Sequence, residues 1–314
     1  FCGGSLIGED WVLTAAHCVL NANGVRVLIG AVSLDSWASE TFVVDGVSYT
    51  PELRDVTRIV RHPDYDDAFL TNDIALLQLA EPSTIPTLDV RRRFFGTNED
   101  DPSSDDDDDD PYYDGDVTPS LLVAGWGDTT DSEYTYYFPS ELQYAQVPRV
   151  ADDVCQAELN AFAGGNVVVD FSVKFCAGYV DGDEEKGINR GTCLGDSGSP
   201  LVAPSSSSSS SSSYEQVGIV SQAFGCADTY SVYADVVALA SFIDDTLCDA
   251  GGACRTPAPT PLPCVDSRAW YKSGEPLKGC PWVSETTDRR RCDTRGDDGT
   301  FAYEACPRSC GSCP

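Results

Sequence analysis

The stretch GTCLGDSGSP, residues 191–200, decides how the rest of the chain is read. Ser197 stands between Asp196 and Gly198, with Cys193 upstream and Pro200 just beyond. A serine hydroxyl is a weak nucleophile until a neighbouring base takes its proton, and that base needs an orienting group of its own. The stretch therefore carries chemistry only if a histidine and a carboxylate elsewhere can be brought to Ser197. Without them it is a polar turn.

The search is short, because the 314-residue chain holds two histidines. His62, in RIVRHPDYDD, precedes Pro63 among charges, as an exposed loop imidazole would. His17, in LTAAHC, follows an apolar run and adjoins Cys18, where small alanines and a disulfide would fix its ring. Among 51 aspartates and glutamates, Asp73 stands apart because it directly precedes the apolar run IALLQL. A carboxylate at the edge of a core, shielded from water, can receive and hold an imidazole N–H.

Composition bounds the class. A hydrophobic fraction of 41% with 23% charged residues fits an ordinary globular chain, and no run approaches the roughly 18 apolar residues of a membrane span. Fourteen cysteines point to disulfides and an oxidising compartment, outside the cell or in the secretory lumen. A formal net charge of −31 excludes nucleic-acid phosphates as a partner, since these demand clustered Lys and Arg. The chain has no methionine and no leader-like start, so it is expected to be a processed chain or a fragment.

Short β-branched and aromatic runs broken by Gly, Pro and Asp predict a compact all-β unit up to about residue 95 and a second from about 120 to 236. Between them lies the acidic insert 99–116, whose like charges predict a solvated loop. Calcium binding there is the weaker reading, because the run lacks the ligand spacing and turn glycine of a calcium loop. The poly-serine tract 205–213 sits between two strands and predicts a hairpin with an expanded loop. Apolar residues at helical spacing over 236–247 predict a closing helix. The resulting division is a unit of residues 1–250, a proline-rich spacer at 251–263, and a module at 264–314 whose six cysteines replace a core. Cys248 and Cys254 fall between the units, and a local bridge is their simplest pairing.

Seven motifs in order, FCGGSLI (1–7), LTAAHC (13–18), NDIALLQL (72–79), VAGWG (123–127), FCAGY (175–179), GDSGSPL (195–201) and GIVS (218–221), resemble the chymotrypsin-like serine proteases of the trypsin family. The order His, Asp, Ser is that family's as well. The resemblance covers about residues 1–247 and implies two packed antiparallel β-barrels with a C-terminal helix, a peptidase acting on proteins or peptides and open to protein inhibitors, and no cofactor. It implies Ser197 as nucleophile, His17 as base and Asp73 as its orienting carboxylate, with Ser221 supporting Asp73 and the N–H groups of Gly195 and Ser197 as oxyanion hole. It also implies the disulfides Cys2–Cys18, Cys155–Cys176 and Cys193–Cys226. No metal site is expected, since these cysteines lack the short paired spacing of zinc knuckles.

The sequence departs from the family pattern in places. Members normally begin earlier and bury a new amino terminus against the aspartate before the nucleophile, here Asp196; without it the expectation is a fragment or a poorly formed oxyanion hole. The residue that is aspartate in Lys/Arg-specific members is Gly191, with Ala223 and Ser231 as pocket walls, so a small or medium apolar P1 residue is expected. Gln222 stands where tryptophan is usual and Ser199 where glycine is usual. The rival reading is a protease-like binding protein without turnover, acting through its cysteine module. That module, with CVDSRAWYKSG from 264 and AYEACPRSCGSC ending at 313, resembles a ShKT domain. The resemblance implies Cys264–Cys313, Cys280–Cys306 and Cys292–Cys310.

Overall fold

The computed structural model describes residues 1–22, 24–91, 121–130, 135–180, 191–205, 214–226 and 228–250. The acidic insert, most of the poly-serine tract, Cys254, the proline-rich spacer and the whole ShKT-like module lie outside these residues. Contacts gather Phe1–Asp249 into one compact unit.

The first part of the chain supplies β1 (Ser5–Gly8), β2 (Trp11–Thr14), β3 (Arg26–Ile29), the hairpin β4 (Phe42–Val44) and β5 (Val47–Tyr49), β6 (Glu52–Arg61) and β7 (Ala75–Leu79). Five of these make an antiparallel sheet ordered β1-β2-β7-β6-β3. Its curled face buries Leu6, Val12, Ile29, Leu77, Leu79 and Ile85. The β4–β5 hairpin turns at Asp45 and Gly46, with φ of +49° and +80°. Both central residues of that turn must be left-handed, which is why an Asp-Gly pair sits there.

The second sheet is built from β8 (Asp89–Val90), β9 (Leu121–Gly125), β10 (Gln143–Val147), β11 (Arg149–Val150), β12 (Lys174–Ala177), β13 (Pro200–Pro204), β14 (Tyr214–Gln222) and β15 (Ser231–Asp235). Its order is β10-β9-β13-β14-β15-β12-β11, with β8 alongside β14 as the parallel exception. In β9 Leu121, Val123 and Gly125 are buried while Leu122 and Ala124 are less so, the two-residue alternation of a strand with one face on the core. Phe175, Leu201, Val217, Val220 and Tyr233 complete that core. Strands β13 and β14 pair antiparallel, Pro204 opposite Tyr214, across the serine tract.

Two curled antiparallel half-barrel sheets and a closing helix make the chymotrypsin-like architecture. Helix α1 (Asp152–Ala163) interrupts a region read from sequence as β-rich. Asp152 and Asp153 favour its positive end, Gly164 ends it in the left-handed region, and Cys155 and Leu159 are its buried residues. Helix α2 (Ala240–Asp249) begins later than residue 236. The Asp235 carboxylate accepts the N–H groups of Val237 (2.8 Å) and Ala238 (3.0 Å), so these residues form a turn before the helix starts. Truncation of the fully buried Leu201 to alanine is expected to cost about 2–5 kcal/mol in chemical denaturation, whereas Val43→Ala on the exposed hairpin should stay within about 0.5 kcal/mol.

Candidate active site

Register brings His17 and Asp73 together. Thr14 at the end of β2 lies opposite Ala75 at the start of β7, so the residues just past each strand end share one corner. The chain turns there into a single 3₁₀ turn, His17–Val19, which the Cys2–Cys18 disulfide ties to the residues before β1. Asp73 is wholly buried at 0% exposure. Its Oδ1 accepts the backbone N–H of His17 at 2.9 Å, and its Oδ2 accepts His17 Nδ1–H at 2.7 Å. Ser221 of β14, in the other sheet, donates its hydroxyl to the same Oδ2 at 2.7 Å. An ionised carboxylate only accepts hydrogen bonds, so the proton of the neutral imidazole sits on Nδ1 and Nε2 keeps its lone pair.

Ser197 stands in a turn between β12 and β13, braced from both sheets. Its carbonyl accepts Gly3 N–H at 2.7 Å, and Gly198 N–H donates to Val220 at 2.8 Å. Gly195 and Gly198 have φ of +98° and +81°, values a side chain would strain. Neither the N–H of Gly195 nor that of Ser197 is engaged with another described residue. Nor does a hydrogen bond join Ser197 Oγ to His17 Nε2; Cys18 Sγ is 3.7 Å from that nitrogen.

The remaining residues singled out in the sequence cluster beside this turn. Thr192, not picked out from the sequence, donates its hydroxyl to Ser231 Oγ at 2.8 Å, and both are buried. Disulfide Cys193–Cys226 ties the turn to the loop after Ala223, and Cys155–Cys176 ties α1 to β12. Cys248 is disulfide-bonded as well. The Asp196 carboxylate accepts Gly127 N–H at 2.9 Å on one oxygen and Cys193 N–H at 3.0 Å on the other. Loss of solvent pushes its pKa above the ordinary carboxylate range, outweighing the two donors that pull it down.

The family model described as Trypsin matches residues 1–243. The chain belongs to the trypsin family. Curated relatives include cationic trypsin-3 of Rattus norvegicus, 29% identical over 79% of this chain and 80% of that protein. Trypsin of Sus scrofa is 27% identical over 79% and 85%, and trypsin-2 of Salmo salar 28% over the same shares. This trypsin-family chain is thus a serine endopeptidase, a hydrolase whose class acts on proteins and peptides. Two clusters bring three potential metal ligands together, Cys2 with His17 and Cys18, and Asp128 with Cys193 and Cys226. In both the sulfurs are joined as a disulfide and have no thiolate to offer.

Asp196 yields a pH prediction. A carboxyl whose folded pKa is raised contributes stability in its protonated form and loses that contribution as pH rises through the folded value. The unfolding free energy of the wild type is expected to fall relative to Asp196→Asn as pH rises from about 4, the ordinary carboxylate value, through the raised folded pKa. Denaturation curves of both proteins across that range check the slope.

Proposed function

We propose that this trypsin-family chain is a catalytically active, secreted endopeptidase in which Ser197, His17 and Asp73 act together. The observation that carries the reading is the single buried carboxylate that accepts both His17 donors and Ser221. In this reading Ser197 Oγ attacks the scissile carbonyl while His17 Nε2 takes its proton. The N–H groups of Gly195 and Ser197, which have no other described partner, receive the oxyanion. His17 then gives the proton to the leaving amine, and water repeats the sequence on the acyl-enzyme. Asp73 stays ionised throughout and stabilises the imidazolium.

The P1 preference follows from the pocket. Gly191 has no side chain, and Thr192 donates its hydroxyl to Ser231 Oγ. Residue 191 therefore offers no carboxylate to a lysine or arginine, whose desolvation would go uncompensated at that position. Ala223 and Ser231 narrow the walls, favouring small or medium apolar residues. Secretion is supported by the disulfides among the described residues. None of the described helices is long and apolar enough to cross a membrane. The ShKT-like module, on this reading, is a tethered accessory domain.

A fluorophosphonate probe followed by peptide mapping tests the nucleophile. Labelling is expected at Ser197 in the wild type and lost in His17→Ala; an unlabelled wild type would favour the protease-like binding protein. Ser221→Ala should lower kcat by roughly tenfold with little change in KM, since it removes one hydrogen bond to a buried charge. In a P1 substrate library, alanine or valine should exceed lysine by at least about tenfold in kcat/KM. A lysine preference would overturn the pocket assignment.

A further inference from the structure

Lys174, the first residue of β12, is 2% exposed. That is an unusual place for an ammonium group, because lysine is almost never fully buried without a paired charge. Among the described residues its one hydrogen bond runs from Nζ to the carbonyl of Phe69, at 2.8 Å. No described carboxylate makes an ion pair with it. Burial lowers its pKa from the ordinary lysine value, while two acids beyond ion-pair distance, Asp73 first and then Asp170, act the other way and favour its charged form.

Phe69 opens the short segment that delivers Asp73 to the site. Leu70 and Asn72 in that segment have φ of +51° and +53°, a region that residues with a Cβ avoid. The segment is restrained by Asp66 N–H to the Thr71 carbonyl at 3.1 Å and by Asn72 Nδ2 to the Asp64 carbonyl at 3.0 Å. Both restraints belong to the same loop. Lys174 adds one from the second sheet, and it brings a positive charge to the side of a carboxylate that is wholly buried. In the resting site the hydrogen bonds to Asp73 come from an amide, a neutral imidazole and a hydroxyl. None of these neutralises its charge.

We propose that Lys174 is a positioning residue for the Asp73–His17 pair: its ammonium holds the 69–73 segment by the Phe69 carbonyl and serves as interior counter-charge to Asp73. This rests on the assignment of Asp73 and His17 to the reaction. A nearby cation favours the carboxylate and disfavours the imidazolium. Lys174 therefore adds a favourable charge for the Asp73 carboxylate and an unfavourable one for a second positive charge on the His17 ring. Other groups bear on the same corner. Asp170, just before β12, favours the charged form of Lys174. From the Asp73 side come Tyr65, held neutral by burial and by its bond to Asp67, together with Asp67 and Arg61 themselves. Cys18, beside His17 Nε2, is in a disulfide and does not titrate.

The test is an NMR titration of the His17 imidazole in the full chain, with His62 as internal reference and His62→Gln to assign the two signals. Lys174→Met and Lys174→Gln are expected to raise the His17 pKa by about half a unit. Lys174→Arg should leave it near the wild-type value. The acid limb of kcat/KM should move with it, because loss of the cation makes the imidazolium easier to form. Lys174→Gln decides the matter: its amide keeps a donor for the Phe69 carbonyl and drops the charge. A Gln variant with the wild-type His17 pKa would reduce Lys174 to a tether and overturn the proposal. Should the uncharged variants fail to fold, titration of the lysine ε-carbons in the wild type decides instead. Lys174 must remain protonated above pH 7, and its deprotonation below that would refute the counter-charge. The titration needs no turnover, so a wild type that resists the fluorophosphonate would sink the catalytic assignment and leave the influence of Lys174 on His17 measurable.

Discussion

The structure depends on one carboxylate. Asp73 is removed from water, and a charge in that position is tolerated only when its oxygens are hydrogen-bonded. Two donors come from His17 of the first sheet and the third from Ser221 of the second. Neither sheet alone can satisfy it. The same three hydrogen bonds fix the His17 ring and hold the two sheets in register where they meet.

Around this point the contact between the sheets is polar, while each sheet keeps its own apolar core. Ser5 Oγ donates to Gln216 Oε1 at 2.6 Å in a buried contact, and Gly3 N–H holds the Ser197 carbonyl. Lys174 of the second sheet donates to the Phe69 carbonyl in the loop that leads to Asp73. Buried polar groups like these are directional, so they specify one relative placement of the sheets where apolar packing would tolerate several. A corner assembled from residues as far apart as 17, 73 and 221 needs that specificity, since its hydrogen bonds tolerate only small errors in position.

What could be read from the sequence was whatever local chemistry controls. The alternation in LLVAG marked a strand, and the seven ordered motifs marked the family and with it two antiparallel sheets. Helix α1 carried its own signals, acidic residues at its start and glycine after its end, but it lies in a region dominated by strand-like runs and was read with them. The start of α2 was misplaced because the helical spacing of VVALASFIDDTL says nothing about the Asp235 side chain, which captures the first two N–H groups for a turn. Lys174 gave no signal at all. In SVKFCAG it reads as an ordinary polar residue of a strand, and only the packing of β12 against the loop before Asp73 removes it from water.

The sequence by itself determined which chemical groups were available: two histidines, one aspartate set against an apolar strand, and a serine framed by glycines. It also determined the fold class, because residue order and strand periodicity are local properties that a linear pattern preserves. Tertiary structure alone decided which of these groups share a hydrogen bond, that Thr192 donates to Ser231, and that the ammonium of Lys174 lies beside the Asp73 segment. Those outcomes depend on burial and on distances between residues far apart in the chain, and the strength of a charge or a hydrogen bond is set by how much water packing leaves around it.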